Sequence, residues 1–369
     1  MYLDDRRDRH RRNSNTGTFS GVFLVLILFT LLGVGLAACG GRSATSASLG
    51  AHGVRNKAPS PAASPHKSAQ PEHSILAARW SAIVGPAATA VACPTYQFCM
   101  AVLGATSSTA GTGTWSTWNG RSWSPLQPIA TGGGELVSLS CANHDFCVAA
   151  DVSGNVLEWD GSAWSSPVSL GARAALSSVS CPTVGFCLAV GVLGQVYEYS
   201  RNSWVPTAAI TATSNPANGY VAMACASAQF CFSGNGMSQV AEFNGSTWSN
   251  PTLIDPDGLG VTSISCPNTT FCMAVTNSGD AVEWKGGTWE EPVSVINHKL
   301  VAVSCPNDHF CVAVGNGTKI ATYSGRWVTA PIPGQTPYGG LVSVSCASQQ
   351  FCMAVSGGTQ TFTYTTLTH

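Results

Sequence analysis

Seven times between Cys93 and Cys352 the sequence repeats a cysteine, five intervening residues and a second cysteine. The pairs are Cys93/Cys99, Cys141/Cys147, Cys181/Cys187, Cys225/Cys231, Cys266/Cys272, Cys305/Cys311 and Cys346/Cys352. A phenylalanine precedes every second cysteine, from Phe98 in the first copy to Phe351 in the seventh. Copies follow one another about every 40 residues, and this regularity marks a structural repeat rather than a compositional accident. Within Val261–Val295 the unit reads as four short strands: VTSISC, FCMAVT, GDAVEW and TWEEPVSV. A third-strand aromatic recurs as Trp118, Trp159, Tyr199, Phe243, Trp284, Tyr323 and Tyr364. A fourth-strand tryptophan follows it in six copies, at 123, 164, 204, 248, 289 and 327. Between the two stand Asn119-Gly120, Asp160-Gly161 and Asn244-Gly245, dipeptides that favour hairpin turns.

Four strands at a period near 40 residues are the blade of a β-propeller, so residues 77–369 are expected to form an all-β, seven-bladed ring. The chain stops at His369, only five residues after Tyr364, so the seventh copy lacks its fourth strand. Arg79–Val84, RWSAIV, reads as a fourth strand standing alone before the first cysteine pair. The N-terminal strand is therefore expected to complete the last blade.

The paired cysteines are expected to be local disulfides closing the turn between first and second strands. Opposed residues of an antiparallel hairpin lie about 4.5–5.5 Å apart at Cα, within reach of a bridge. Zinc sites use shorter cysteine spacing with further Cys or His nearby. Here His144 and His309 each occur once, inside single turns, so no metal site is expected.

The N-terminus gives an address. Arg6, Arg7, Arg9, Arg11 and Arg12 precede an uncharged apolar run over 21–38, which ends in Leu36-Ala37-Ala38-Cys39. This is the pattern of an export signal over residues 1–38. The junction resembles the lipobox of bacterial lipoproteins, which implies lipidation of Cys39 and anchoring on the extracytoplasmic face of the cell membrane. Residues 39–76, rich in Ser, Ala, Pro and Gly, cannot bury enough apolar surface to fold and read as a flexible tether.

Charge narrows the function. Residues 77–369 hold eight Lys/Arg against fourteen Asp/Glu, and such an acidic body does not suit nucleic acid. Gly120, Gly161 and Gly245, each three residues before a tryptophan, resemble the Asp-box turn of sialidases. Where the box places its aspartate this chain has Trp118, Trp159 and Phe243. Sialidase chemistry also needs clustered arginines at the central mouth. Of Arg79, Arg121, Arg173, Arg201 and Arg326, only Arg173 falls in a loop that can face it. Glu158, Glu198, Glu242 and Glu283 recur once per blade and read as structural, as Asp255-Pro256-Asp257-Gly258 reads as a turn.

No catalytic residue, metal or cofactor is expected. The least repetitive segments, 128–135, 212–220, 253–260 and 331–340, should share one face, where a rigid ring presents variable loops. Asn215, Tyr220, Asp255, Asp257 and Tyr338 are the candidate ligand-binding residues. The expected function is non-catalytic: a monomeric binding or scaffolding module for a glycan, an envelope polymer or a protein. A glycan-processing hydrolase or lyase is the alternative.

Overall fold

Each copy of the repeat forms one four-stranded antiparallel sheet, strands a to d running outward from the ring axis. A computed structural model describes residues 79–104, 111–171, 174–211, 218–334 and 340–366. Seven such sheets are present, and in six of them strands a to d follow chain order. In the seventh, Arg79–Val84 is the outermost strand beside Gln360–Thr365, with Trp80 opposite Tyr364. Strand a of blade 1 also packs on strand a of blade 7, so the ring closes as the sequence leads one to expect.

The core lies between sheets. Each strand b is covered on both faces by neighbouring blades, which is why FCMAVT at 271–276 is buried at all six positions instead of alternating. One cluster joins Val148 and Val156 of blade 2 to Leu176, Val179 and Ala189 of blade 3. Another joins Met353 and Val355 of blade 7 to Val91, Ala101 and Trp118 of blade 1.

The repeated aromatics join blades and strands. The phenylalanine before the second cysteine packs on the next blade's third-strand ring, as in Phe146–Tyr199 and Phe310–Tyr364, both 5.6 Å between centroids. The strand c aromatic and strand d tryptophan sit side by side, 5.1–5.9 Å apart in Trp118–Trp123, Phe243–Trp248 and their equivalents. Trp80 and Tyr364 make the same pair at 5.4 Å across the chain ends.

All seven disulfides form, each between cysteines six positions apart. Their placement differs from the expectation in three ways. The strands run past the cysteines to a two-residue turn, so Asn268 pairs with Phe271 and the bridge lies inside the hairpin. The Cα atoms are 3.9–4.2 Å apart, closer than expected. The cause is that the first cysteine turns its N–H away from strand b: Cys181 donates to Ser140 Oγ of the preceding blade at 2.9 Å. The two cysteines thus form a non-hydrogen-bonded pair, the closer kind in an antiparallel ladder.

The third difference is burial. A bridge flanking a turn should be open to solvent on one side, yet the second cysteine is 0 % exposed in every blade: Cys99, Cys147, Cys187, Cys231, Cys272, Cys311 and Cys352. Each is the second residue of strand b, and strand c covers it with the recurring aromatic. Cys147 stands opposite Trp159, Cys187 opposite Tyr199, Cys231 opposite Phe243 and Cys311 opposite Tyr323. These cysteines are core residues of the blade.

The bond from Cys181 is one rung of a serine belt. Serines one and three residues before the first cysteine accept N–H groups from the next blade: Val179 and Cys181 on Ser138 and Ser140, Met223 and Cys225 on Ser178 and Ser180, Val91 and Cys93 on Ser343 and Ser345. Blades 5 and 6 continue it through Ser263, Ser265 and Ser304. Blades 1 and 4 hold Ala90/Ala92 and Ala222/Ala224 at these positions, so the seams between blades 1 and 2 and between blades 4 and 5 lack these serine rungs.

Strand d is shorter than expected in blades 2, 4 and 5, reduced to two residues after an isolated Trp bridge. Pro167, Pro251 and Pro292 interrupt it, and proline on a short edge strand discourages edge-to-edge pairing.

Candidate functional site

The two ends of the ring differ in how much they repeat. At one end the a–b turn carries the disulfide and lies against the c–d turn. Trp118, Trp159 and Trp284 donate their indole N–H to the a–b turn carbonyls of Tyr96, His144 and Thr269 at 3.1–3.2 Å. His144 and His309 lie at the tips of two such turns, each against its neighbouring aspartate. Three c–d turns are held by Asx caps, at Asn119, Asp160 and Asn244. Asp160 accepts from Ala163 N–H, the Ser162 hydroxyl and Ser162 N–H, which together hold its carboxyl below the usual range. Arg121, Arg201 and Arg326 lie in c–d turns of three different blades, and Arg79 begins the closing strand of blade 7.

The b–c turns and the segments entering strand a share the other end. There the residue after strand b donates to the residue before strand a, as in Asn277 N–H to Gly260 O at 2.9 Å. Between blades 4 and 5 the entering segment, residues 254–260, is held on several sides. Ile254 N–H reaches Ser238 O, Gly260 N–H reaches Ser238 Oγ at 3.0 Å, and Asn277 Nδ2 donates to Leu259 O at 3.0 Å. Gly258 N–H closes the Asp255 turn at 3.2 Å. Gly260 sits at φ 107°, and a Cβ there would press on Gly236 O at 2.7 Å, so only glycine lets the two segments meet. From this braced loop Asp257 and Leu259 project into solvent, with Leu259 70 % and the adjacent-turn Met237 43 % exposed.

The expected site residues divide. Asp257 lies on this platform. Asp255, only 2 % exposed, lies beneath it as a turn residue, and its Oδ2 has no hydrogen-bond partner of good geometry among the described residues. Burial first and the nearby Asp280 charge second push its carboxyl above the usual range; the Thr276 hydroxyl and the N–H groups of Asp257 and Gly258 offset part of this.

Tyr220 corrects the loop reading. It is the first residue of strand a, fully buried, and its hydroxyl donates to Thr211 O at 3.2 Å. Counted back from the first cysteine it falls in register with Leu136, Leu176, Val261 and Leu300, all core residues, and that alignment is the signal that identifies it. Asn215, Tyr338, Arg173 and Cys39 lie outside the described residues. Sequence reasoning did not find Leu259 and Met237, because single aliphatic residues in loops carry no pattern.

Asp255 yields a stability prediction. Its folded pKa is raised, so its contribution is most favourable below the ordinary carboxylate range and is lost as pH rises through the raised value. Asp255→Asn keeps an acceptor oxygen while removing the buried charge. At pH 7 it should raise stability on the order of 1 kcal/mol, about 2 °C in a melt. The gain should vanish near pH 4, and a melt lowered at pH 7 would contradict this account.

Among the described residues no three His, Cys, Asp or Glu side chains converge to hold a metal ion. No protein-family model and no curated protein matches the sequence. Solved structures do match in shape. The YCF48 structure bound to a D1 peptide aligns with TM-score 0.60 at 13 % identity, covering 78 % of this chain and 97 % of that one. The WD40 β-propeller domain of Doa1 aligns with TM-score 0.61 at 12 % identity over 79 % of this chain and 97 % of its own. YCF48 from Cyanidioschyzon merolae aligns with TM-score 0.59 at 12 % identity over 78 % and 99 %. At such identities the likeness establishes the fold, and residues 79–366 form a seven-bladed β-propeller.

Proposed function

We propose that this chain is a non-catalytic recognition propeller, lipid-anchored through Cys39 outside the cell membrane, whose loop face holds a protein partner. The observation that carries the reading is the 254–260 platform: a loop braced from neighbouring turns while its Leu259 and Asp257 stay exposed beside Met237. Bracing of this kind removes the ordering cost of binding, and the cost removed appears as affinity. Exposed aliphatic side chains beside one carboxylate suit a protein surface better than a glycan, which stacks on aromatic rings. A propeller of this fold is described bound to a D1 peptide, which supports a polypeptide ligand here as well.

The experiment is crosslinking capture on intact cells. Leu259→Asp with Met237→Asp should reduce the captured partner by at least about tenfold, as expected for a central apolar contact. Undiminished capture sinks the reading, and glycoside turnover that disappears with Asp257→Asn would favour the hydrolase instead. In the same cells Cys39→Ala should release the protein from the membrane fraction; retention there would refute the lipid anchor.

A further inference from the structure

Four blades carry a glutamate just before the strand c aromatic, and the seams they face use that carboxylate differently. Between blades 2 and 3, Glu158 accepts Trp204 Nε1–H at 3.0 Å. Between blades 5 and 6, Glu283 accepts the Tyr323 hydroxyl at 3.1 Å and lies 3.8 Å from Lys285 Nζ. Among the described residues neither arrangement forms between blades 3 and 4, where Trp248 Nε1 is buried without an acceptor from Glu198, nor between blades 4 and 5. The Glu242 carboxylate accepts no hydrogen bond from a described residue, and burial alone lifts it above the usual carboxylate range. The facing Trp289 Nε1, buried, has no acceptor either.

This seam opens instead into a crevice of about 480 Å³, walled by Phe232, Trp284 and Trp289 with Glu242, Glu290 and Glu291 along it. The ring centroids are 5.0 Å apart for Phe232–Trp289 and 5.7 Å for Trp284–Trp289, a continuous aromatic wall. Among the described residues no lysine, arginine or histidine lines it; the crevice between blades 2 and 3 also lacks one, but its Glu158 is already held by Trp204, and the crevice between blades 5 and 6 contains Lys285 and Arg326. Its upper end is Pro256, the residue before Asp257, so the crevice begins where the loop platform stops.

We propose that this crevice seats a lysine or arginine side chain of the protein partner held by the loop face. The inference rests on the reading of that face given above. An organic cation is the ligand class that the walls and the carboxylates both favour: it gains cation–π attraction from the indole faces and a charge-assisted bond to Glu242. An anion would be repelled by three carboxylates, and a neutral apolar group would leave Glu242 desolvated and unpaired. The acidic body, fourteen Asp/Glu against eight Lys/Arg, draws a basic partner toward it.

The test follows the tryptophan indole N–H signals by NMR while Nα-acetyl-lysine methylamide is titrated in, the Trp289 signal being identified with Trp289→Phe. The neutral Nα-acetyl-norleucine methylamide and the neutral sugar N-acetylglucosamine serve as the other arms. A shift at Trp289 with the lysine probe is expected, weakened roughly fivefold by Glu242→Gln and unchanged by Glu198→Gln, which faces the preceding seam. No shift, an equal shift with either control, or indifference to Glu242→Gln overturns the proposal. Partner capture on cells separates the two ideas. Capture lost with the Leu259→Asp, Met237→Asp chain but untouched by Glu242→Gln overturns the crevice assignment alone. Capture lost only with Glu242→Gln overturns the loop-face reading.

Discussion

A chain beginning at Gly85 will not close its ring, and we expect it to aggregate where the longer chain is soluble. Arg79–Val84 supplies six registered partners to Gln360–Thr365. Without it the strand containing the buried Phe362 and Tyr364 becomes an unpaired edge with two newly exposed aromatic rings, a template for pairing with another chain. Ile83 also packs into the cluster shared by blades 7 and 1, so the deletion weakens a seam as well as an edge. The single change Trp80→Ala removes the ring stacked on Tyr364 and should cost about 3 kcal/mol, read as a lowered melting temperature. Trp80→Phe should recover most of that loss, because the Trp80 indole N–H has no hydrogen-bond partner and only its bulk is used. A truncated chain that elutes as a monomer with an unchanged melt would show that the closing strand is dispensable.

The residues that made this closure legible are those that repeat. Cysteine spacing gives the hairpin, the aromatic and tryptophan markers give strands c and d, and the mismatched offcuts at Arg79–Val84 and Tyr364 give the ring. Each is a local pattern with a local physical meaning, so it survives translation from sequence to structure. The serine belt does not. Ser138 and Ser140 are visible in the letters, but their acceptors serve Val179 and Cys181 of the next blade, a relation across about 40 residues that exists only after the ring forms. The depth of the bridges is hidden for the same reason: spacing pairs Cys141 with Cys147, but only the packing of neighbouring blades puts Cys147 out of reach of solvent. Tyr220 misleads because a loop merges into strand a without a break, and only alignment on Cys225 shows it to be a core position. Asp255 and Asp257 stand two apart in one turn yet differ completely in exposure, since the turn folds one carboxyl under and the other out. The two carboxylates therefore share one loop, while their division into brace and exposed group depended on the tertiary fold. Glu242 shows the same limit. Its letter matches Glu158 and Glu283, and only the folded seams show that those two are hydrogen-bonded where Glu242 is not.

Reduction of the disulfides should unfold the propeller, but only after it has opened. Each bridge closes a loop of about seven residues, worth about 2.4 kcal/mol in the chain-entropy account. The seven staples together then reach about 17 kcal/mol, comparable with the whole net stability of a domain, about 5–15 kcal/mol. They are also shielded. Cys99, Cys147, Cys187, Cys231, Cys272, Cys311 and Cys352 are all fully buried, and the first cysteines of five bridges are only 5–8 % exposed, so in the closed ring a thiolate reaches only the half-buried Cys141 and Cys266. Replacing one pair, Cys266→Ala with Cys272→Ala, should lower stability by about 2 kcal/mol and leave the fold intact, because six staples remain. With excess dithiothreitol at 25 °C, free thiols from the five bridges buried at both cysteines should appear slowly and in step with loss of the β-sheet signal, since opening limits both. Warming should accelerate the two together. Thiols from these five that appear rapidly while the sheet signal persists, or a fully reduced chain that melts within a few degrees of the oxidised one, would show that burial between blades, and not the staples, holds the ring.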